Sequence, residues 1–139
     1  MTDGQARNEQ GLQTEESAVD RLFQASHPVA LAPMSGVSDL PFRKLAHDLG
    51  ASLVVSEMIA SEELARERKD VLRRAEGRDL TPFVIQRAGR EARLMAEGAT
   101  IAEQKGADAI DINMGCPARE VTGKLSGSAL MRDLDHAQA

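Results

Sequence analysis

Apolar and polar residues fall into blocks along this chain, and the blocks switch between two periods. Val29 to Ala32 is a short apolar run stopped by Pro33, the pattern of a strand buried on both faces. Gly36, Ser38 and Asp39 then supply a loop and helix caps. Phe42, Leu45, Ala46 and Leu49 recur at i, i+3, i+4 and i+7, which is one helix face, and Gly50 is placed to end that helix. The unit repeats. Leu53 to Val55 predicts a second strand, and Ser61 is placed to cap a helix with Leu64, Val71, Leu72 and Ala75 on one side and Gly77 at its end. Pro82 to Gln86 predicts a third strand, which tolerates proline at its first position. Leu94, Gly98, Ile101 and Ala102 mark a third helix ended near Gly106, and Ala109 to Ile112 a fourth strand. Ser128 to Arg132 and Asp133 to Ala139 read as helical. Residues 1 to 25 are polar without a sustained apolar period and are expected to be a disordered leader, with one domain over 26–139.

Four strands alternating with helices through short loops imply a parallel sheet. Two architectures compete, a doubly wound open sheet and half of a closed barrel. No Gly-x-Gly-x-x-Gly follows the first strand, which weakens the first option. Polar and conformationally special residues gather at the carboxyl ends of the strands: Pro33-Met34-Ser35-Gly36, Ser56-Glu57-Met58, Gln86, and Asn113 to Cys116. In a barrel those ends share the face on which sites are built. The expected fold class is therefore α/β, the N-terminal half of a (β/α)8 TIM barrel, truncated after the fourth strand.

Composition adds limits. The 139 residues are 42% hydrophobic, enough for a core, but three phenylalanines without tryptophan or tyrosine leave that core to aliphatic residues and methionine. A single cysteine makes no internal disulfide. No apolar run reaches the roughly 18 to 20 residues of a membrane span, and the start lacks the features of a secretory signal, so a cytoplasmic setting without membrane contact is expected. The net charge of −5 argues mildly against bulk attraction to nucleic acid. Charge is uneven, however, with nine bases against five acids between Arg66 and Arg93. Arginines there could meet a phosphate backbone, but a solvated face laced with i,i+4 ion pairs accounts for them better, and the stretch is assigned no role.

The lone cysteine lies in Asp111-Ile112-Asn113-Met114-Gly115-Cys116-Pro117. Gly115 lets the backbone turn and Pro117 stops helix or ladder, so Cys116 sits in a polar turn after an apolar strand, a place for a proton donor or nucleophile. A small residue suited to a tight turn is the alternative. The three histidines, His27, His47 and His136, have no ligand-like spacing among themselves or with Cys116, and no metal is assigned.

Ala32 to Arg43 (APMSGVSDLPFR), Ser56-Glu57-Met58, Val84-Ile85-Gln86, Asp111 to Ala118 and Gly127-Ser128-Ala129-Leu130, in this order and spacing, resemble the tRNA-dihydrouridine synthases, most of all the bacterial B branch. The resemblance runs from about residue 27 to the end. It implies an FMN-dependent enzyme using NADPH, or NADH, to reduce the C5=C6 bond of particular uridines in tRNA. Cys116 matches the catalytic cysteine; a thiol pKa near about 8.5 keeps such a group mostly protonated at neutral pH yet able to release a proton. By the same likeness Pro33 and Met34 would present backbone groups beneath the flavin, Gln86 would bond its polar edge, Asn113 would orient the uracil, and Ser35 and Glu57 would support the pocket. From the residues alone, Gln86 could equally satisfy a neighbouring backbone group, Asn113 could be a turn former, and Met34 could fill a core.

Complete members of that family are about twice as long or more, with eight strands, a phosphate-binding half and a helical tRNA-binding domain. The chain is accordingly expected to hold one wall of a flavin site, with doubtful activity by itself. Two other readings stay open: another FMN barrel acting on a free pyrimidine, like the dihydroorotate or dihydropyrimidine dehydrogenases, and a non-catalytic half-barrel that self-associates through its open sheet edges.

Overall fold

The computed structural model of the chain describes residues 28–65 and 69–138. The leader expected over 1–25 lies outside the described residues, as do the side chains of Leu64 and Leu72.

Five parallel strands alternate with helices: β1 (Ala30–Leu31), α1 (Leu40–Asp48), β2 (Leu53–Val55), β3 (Ile59–Ala60), α2 (Ser61–Ala65), α3 (Lys69–Arg74), β4 (Phe83–Ala88), α4 (Ala92–Gln104) and β5 (Ala109–Ile112). A short α5 (Arg119–Thr122), a 3-10 helix (Gly127–Arg132) and α6 (Leu134–Gln138) complete the described chain. β1 pairs with β2, β2 and β3 both pair with β4, and β5 pairs with β4 on its other side. The strands thus stand in chain order with no reversal, which removes the doubly wound alternative, whose order must reverse at a switch point. The arrangement is that of a partial TIM-barrel-like sheet.

β3 is the element that the hydrophobic pattern does not predict, and it is a continuation of β2. Val55 stands opposite Val84 and Ile59 opposite Arg87, so β2–β3 spends one residue more than β4 across this interval. That is a bulge, and it reverses the facing of the residues beyond it. By simple alternation Ile59 would share the side of Val55. Instead it joins Val71, Ala75, Phe83, Ile85 and Ala102 in the buried layer between sheet and helices. The interrupted ladder is mended by a side chain: Ser56, fully buried, accepts the Gln86 N–H at 2.9 Å on Oγ and donates to the Glu57 carbonyl at 3.0 Å.

Several expectations change. β4 runs on to Ala88, so Gln86 lies inside the strand and not at its end. The stretch from Ser61 to Gly77 contains two helices, and Ser61 donates its hydroxyl to the Ala88 carbonyl at 3.1 Å. Asp39 does cap α1, accepting the Phe42 N–H at 3.0 Å. The predicted apolar face of α1 is not a core face here: Leu45 is 56% and Leu49 80% exposed, with Phe42 exposed beside them. The buried residue of α1 is Arg43, because β1 is a two-residue edge strand with no described element beyond it to cover that side.

Two arginines are fully buried. Arg43 donates to the carbonyls of Ser38 at 3.1 Å and Glu76 at 2.7 Å, tying α1 to the segment after α3. Arg87, on the helix side of β4, donates to the carbonyls of Met95 and Leu94 in α4 at 3.3 and 3.4 Å. Burial pushes the Arg87 pKa down to about 10. Of the basic stretch, Arg66 and Arg68 lie outside the described residues; at its C-terminal end Arg87 is internal, Arg90 pairs with Asp133 at 2.9 Å, and Arg93 pairs with Glu97 one helical turn on. Gly98 makes the Arg87 position possible, since a Cβ there would stand 1.8 to 2.1 Å from the guanidinium.

Gly98→Ala should lower stability by about 1–3 kcal/mol in urea unfolding, through overpacking against Arg87. The loss should shrink in an Arg87→Leu background; equal losses in both backgrounds would show that the guanidinium is not what the methyl meets. Ser56→Ala should cost about 1–3 kcal/mol by orphaning the buried Gln86 N–H, and should speed hydrogen exchange at that amide. An unchanged unfolding midpoint and exchange rate would refute the ladder-mending role.

Candidate active site

Parallel strands in chain order bring their carboxyl ends to one face, and a path of hydrogen bonds crosses it from the turn after β1 to the loop after β5. The Gly36 N–H donates to Glu57 Oε2 at 3.1 Å. Glu57 accepts on its carbonyl from Ser56, and Ser56 accepts from the Gln86 N–H. On the Gln86 side chain, Oε1 accepts from Asn113 Nδ2 at 3.1 Å and Nε2 donates to Asp111 Oδ2. Asn113 Oδ1 then accepts the N–H groups of Gly115, at 3.2 Å, and Cys116, at 2.9 Å.

The register explains why these side chains meet. Gln86 stands directly opposite Asp111, and Asn113 is two residues further along, so all three share the face opposite to Phe83 and Ile85. Gln86 is 6% exposed, so its amide would carry a desolvation penalty if unpaired, and both of its ends are bonded. Asn113 is indeed a turn former, and it is also a partner of Gln86.

Cys116 is held by its backbone on both sides. Its N–H goes to Asn113 and its carbonyl accepts the Ser128 N–H at 3.0 Å. Gly127, at φ +59°, makes the second contact possible: a Cβ there would meet the Cys116 carbonyl oxygen and Val121 Cγ1, each at 2.7 Å. The Cys116 residue is partly exposed and its thiol is free.

The turn carrying Pro33, Met34 and Ser35 is self-contained. Ser38 Oγ accepts the Met34 N–H at 2.7 Å, and the Met34 carbonyl accepts from the N–H groups of Val37 and Ser38 and from the Ser38 hydroxyl. Met34 is 40% exposed, so it is not a core filler. The turn joins the rest of the site through Gly36 and Glu57. Glu57 also acts on Arg43, whose pKa burial lowers while Glu57, Asp39 and Glu76 oppose that shift.

Gln86, Asn113 and Cys116 are thus brought together, and the turn of Pro33 and Met34 is linked to them only through Gly36, Glu57 and Ser56. Reading the sequence missed Ser56 and Asp111 as site residues. The available signals were a serine straight after an apolar strand, and an acid two positions before Asn113, hence on its face. Among the described residues no group of three His, Cys, Asp or Glu could hold a metal ion, and no helix is long and apolar enough to cross a membrane.

The family model for dihydrouridine synthase (Dus) matches residues 30–139. A probable tRNA-dihydrouridine synthase of Rhizobium leguminosarum bv. phaseoli is 59% identical over 109 residues, covering 78% of this chain and 34% of the relative. One of Rhodobacter capsulatus is 56% identical over 113 residues, covering 79% and 35%. The tRNA-dihydrouridine synthase B of Pseudomonas syringae pv. tomato is 51% identical over 112 residues, covering 80% and 33%. The chain spans about a third of the length of these relatives. With the family match running through every strand and through the turn that holds Cys116, the chain belongs to the dihydrouridine synthase family.

Proposed function

We propose that this chain forms the cysteine-bearing wall of an enzyme that reduces the C5=C6 bond of uridine in tRNA, with FMN as cofactor and NADPH or NADH as reductant, on the first half of a (β/α)8 barrel. The observation that carries the reading is the bonded set of Gln86, Asn113 and Cys116 on the carboxyl face of β4 and β5. The residues fit one side of a flat, polar-edged ring. A Cβ added at Gly36 or Gly115 would meet nothing within 4 Å, so open space borders the backbone on both sides of the site. The exposed Met34 and the neighbouring Pro33 offer an apolar surface beneath a ring, and the Gln86 amide offers a donor to its edge.

When bound and reduced, FMN supplies the hydride that uracil receives at C6. Asn113 and Gln86 orient the rings, each with a second amide hydrogen beyond those already bonded. The Cys116 thiol, on a backbone fixed at both its N–H and its carbonyl, delivers a proton to C5. One hydride and one proton saturate the bond, and the thiolate regains its proton from water. A Cys–Ala exchange therefore removes the acid and leaves the ring contacts.

An enzyme of the relatives' full length built around this chain, incubated with unmodified tRNA transcript, FMN and NADPH, should add two hydrogens per modified uridine, read by mass spectrometry after digestion to nucleosides; the same yield from the 139-residue chain by itself would overturn the reading of it as one wall of the site. Consumption of free uracil or orotate with tRNA untouched would replace this reading with the free-pyrimidine one. In that full-length enzyme Cys116→Ala should lower turnover by roughly 10²-fold or more and leave FMN affinity within about twofold, in line with loss of a general acid. Undiminished turnover in that variant would overturn the assignment of Cys116 as the acid.

A further inference from the structure

Asp111 has no part in the proton and hydride transfers, yet it is the carboxylate bonded to Gln86 and stands directly across the ladder from it. A primary amide can be turned either way about its terminal bond, exchanging a donor for an acceptor at every contact. An ionised carboxylate only accepts, so it selects one orientation: Nε2 toward Asp111, Oε1 toward Asn113. Asn113 is in turn constrained, because its Oδ1 is committed to the N–H groups of Gly115 and Cys116 and only its Nδ2 can meet Gln86.

We infer that Asp111 is a positioning residue, which locks the Gln86 amide so that its remaining Nε2 hydrogen is presented as a donor to an acceptor atom on the edge of the bound flavin. The inference rests on the flavin reading for its target, and on the geometry of the three side chains for the lock itself. With the lock in place, the site offers a hydrogen to a carbonyl oxygen or an unprotonated ring nitrogen. With it removed, only the Asn113 Nδ2 donor still holds this orientation, and a turn of Gln86 would break that bond and leave Asn113, whose Oδ1 accepts the Cys116 N–H, less firmly placed.

The test uses the side-chain amide signals of Gln86 in ¹⁵N-labelled protein, identified by their loss in Gln86→Glu. In the wild type one of the two amide hydrogens should lie downfield of the ordinary glutamine range, as a charge-assisted bond requires. In Asp111→Ala that shift should collapse and the Cys116 backbone amide should move with it, while Asp111→Asn, which keeps an acceptor oxygen, should retain part of both. FMN affinity, followed by quenching of flavin fluorescence, should fall about three- to tenfold in Asp111→Ala, the range expected for one misdirected hydrogen bond. Gln86 signals in the ordinary range in the wild type, or unmoved by Asp111→Ala in a folded protein, would overturn the lock. An intact lock with no FMN bound by either protein would instead remove the flavin as its target, and with it the reading on which this inference rests.

Discussion

The hydrogen bond from the Gln86 N–H to the Ser56 hydroxyl is the constraint on which the rest of the site depends. A parallel ladder with one extra residue on a strand leaves a gap where a backbone acceptor should be, and a buried N–H in such a gap carries a penalty of about 1–3 kcal/mol. Ser56 fills it with an oxygen that is itself satisfied by donating to the next carbonyl. Once that is done, β3 can resume pairing with β4 at Arg87 and turn Ile59 into the helix-facing layer. Gln86 is left on the opposite face, within reach of β5. The bulge therefore turns Ile59 into the core, while Gln86 keeps the face given by the alternation of β4 and its register with β5.

From there the geometry is carried by polar contacts and not by packing. Glu57 reaches back to the turn after β1, and Gln86, Asp111 and Asn113 reach forward to the turn after β5. Each member is bonded to the next, so displacing one leaves an unpaired group on its neighbour. A strand end alone positions a Cα; this network also selects amide orientations. The distinction matters where a ring has donors and acceptors alternating along one edge.

The strands were legible in the sequence where they are continuous apolar runs: Leu53–Val55 and Ala109–Ile112 have the bounds that the pattern predicts. β4 was read two residues short at its end because Arg87, a charged residue that points into the helix layer, interrupts the run. The apolar period of α1 was real, but whether a stripe is buried depends on what lies beyond the edge strand, and period cannot report that. In the site, the placing of Cys116 in a turn after an apolar strand was legible, whereas the roles proposed for Cys116, Gln86 and Asn113 rest on the family likeness. Ser56 and Asp111 were legible only as polar residues near the site face, because their bonds to Gln86 are cross-strand and register is not written in any local window. The end of the basic stretch shows the same limit: Arg87, Arg90 and Arg93 are close in sequence, but the fold makes one internal and puts the other two in separate ion pairs.

The way Cys116 is held bears on what kind of chemistry it can do. Its N–H is fixed by Asn113, its carbonyl by Ser128, and the next residue is a proline with a locked φ. What remains free is rotation of the thiol about its own side-chain bond. A group that must deliver a proton to one carbon and then recover it needs a fixed origin and a short swing, since misplacement by about 1 Å can lower the rate by roughly 10²-fold. Gly127 belongs to the same logic, because its lack of a side chain lets the returning chain approach the Cys116 carbonyl. The segment that begins at Gly127 thus holds Cys116 through its backbone, and under the proposed function it would act on the reaction by that route.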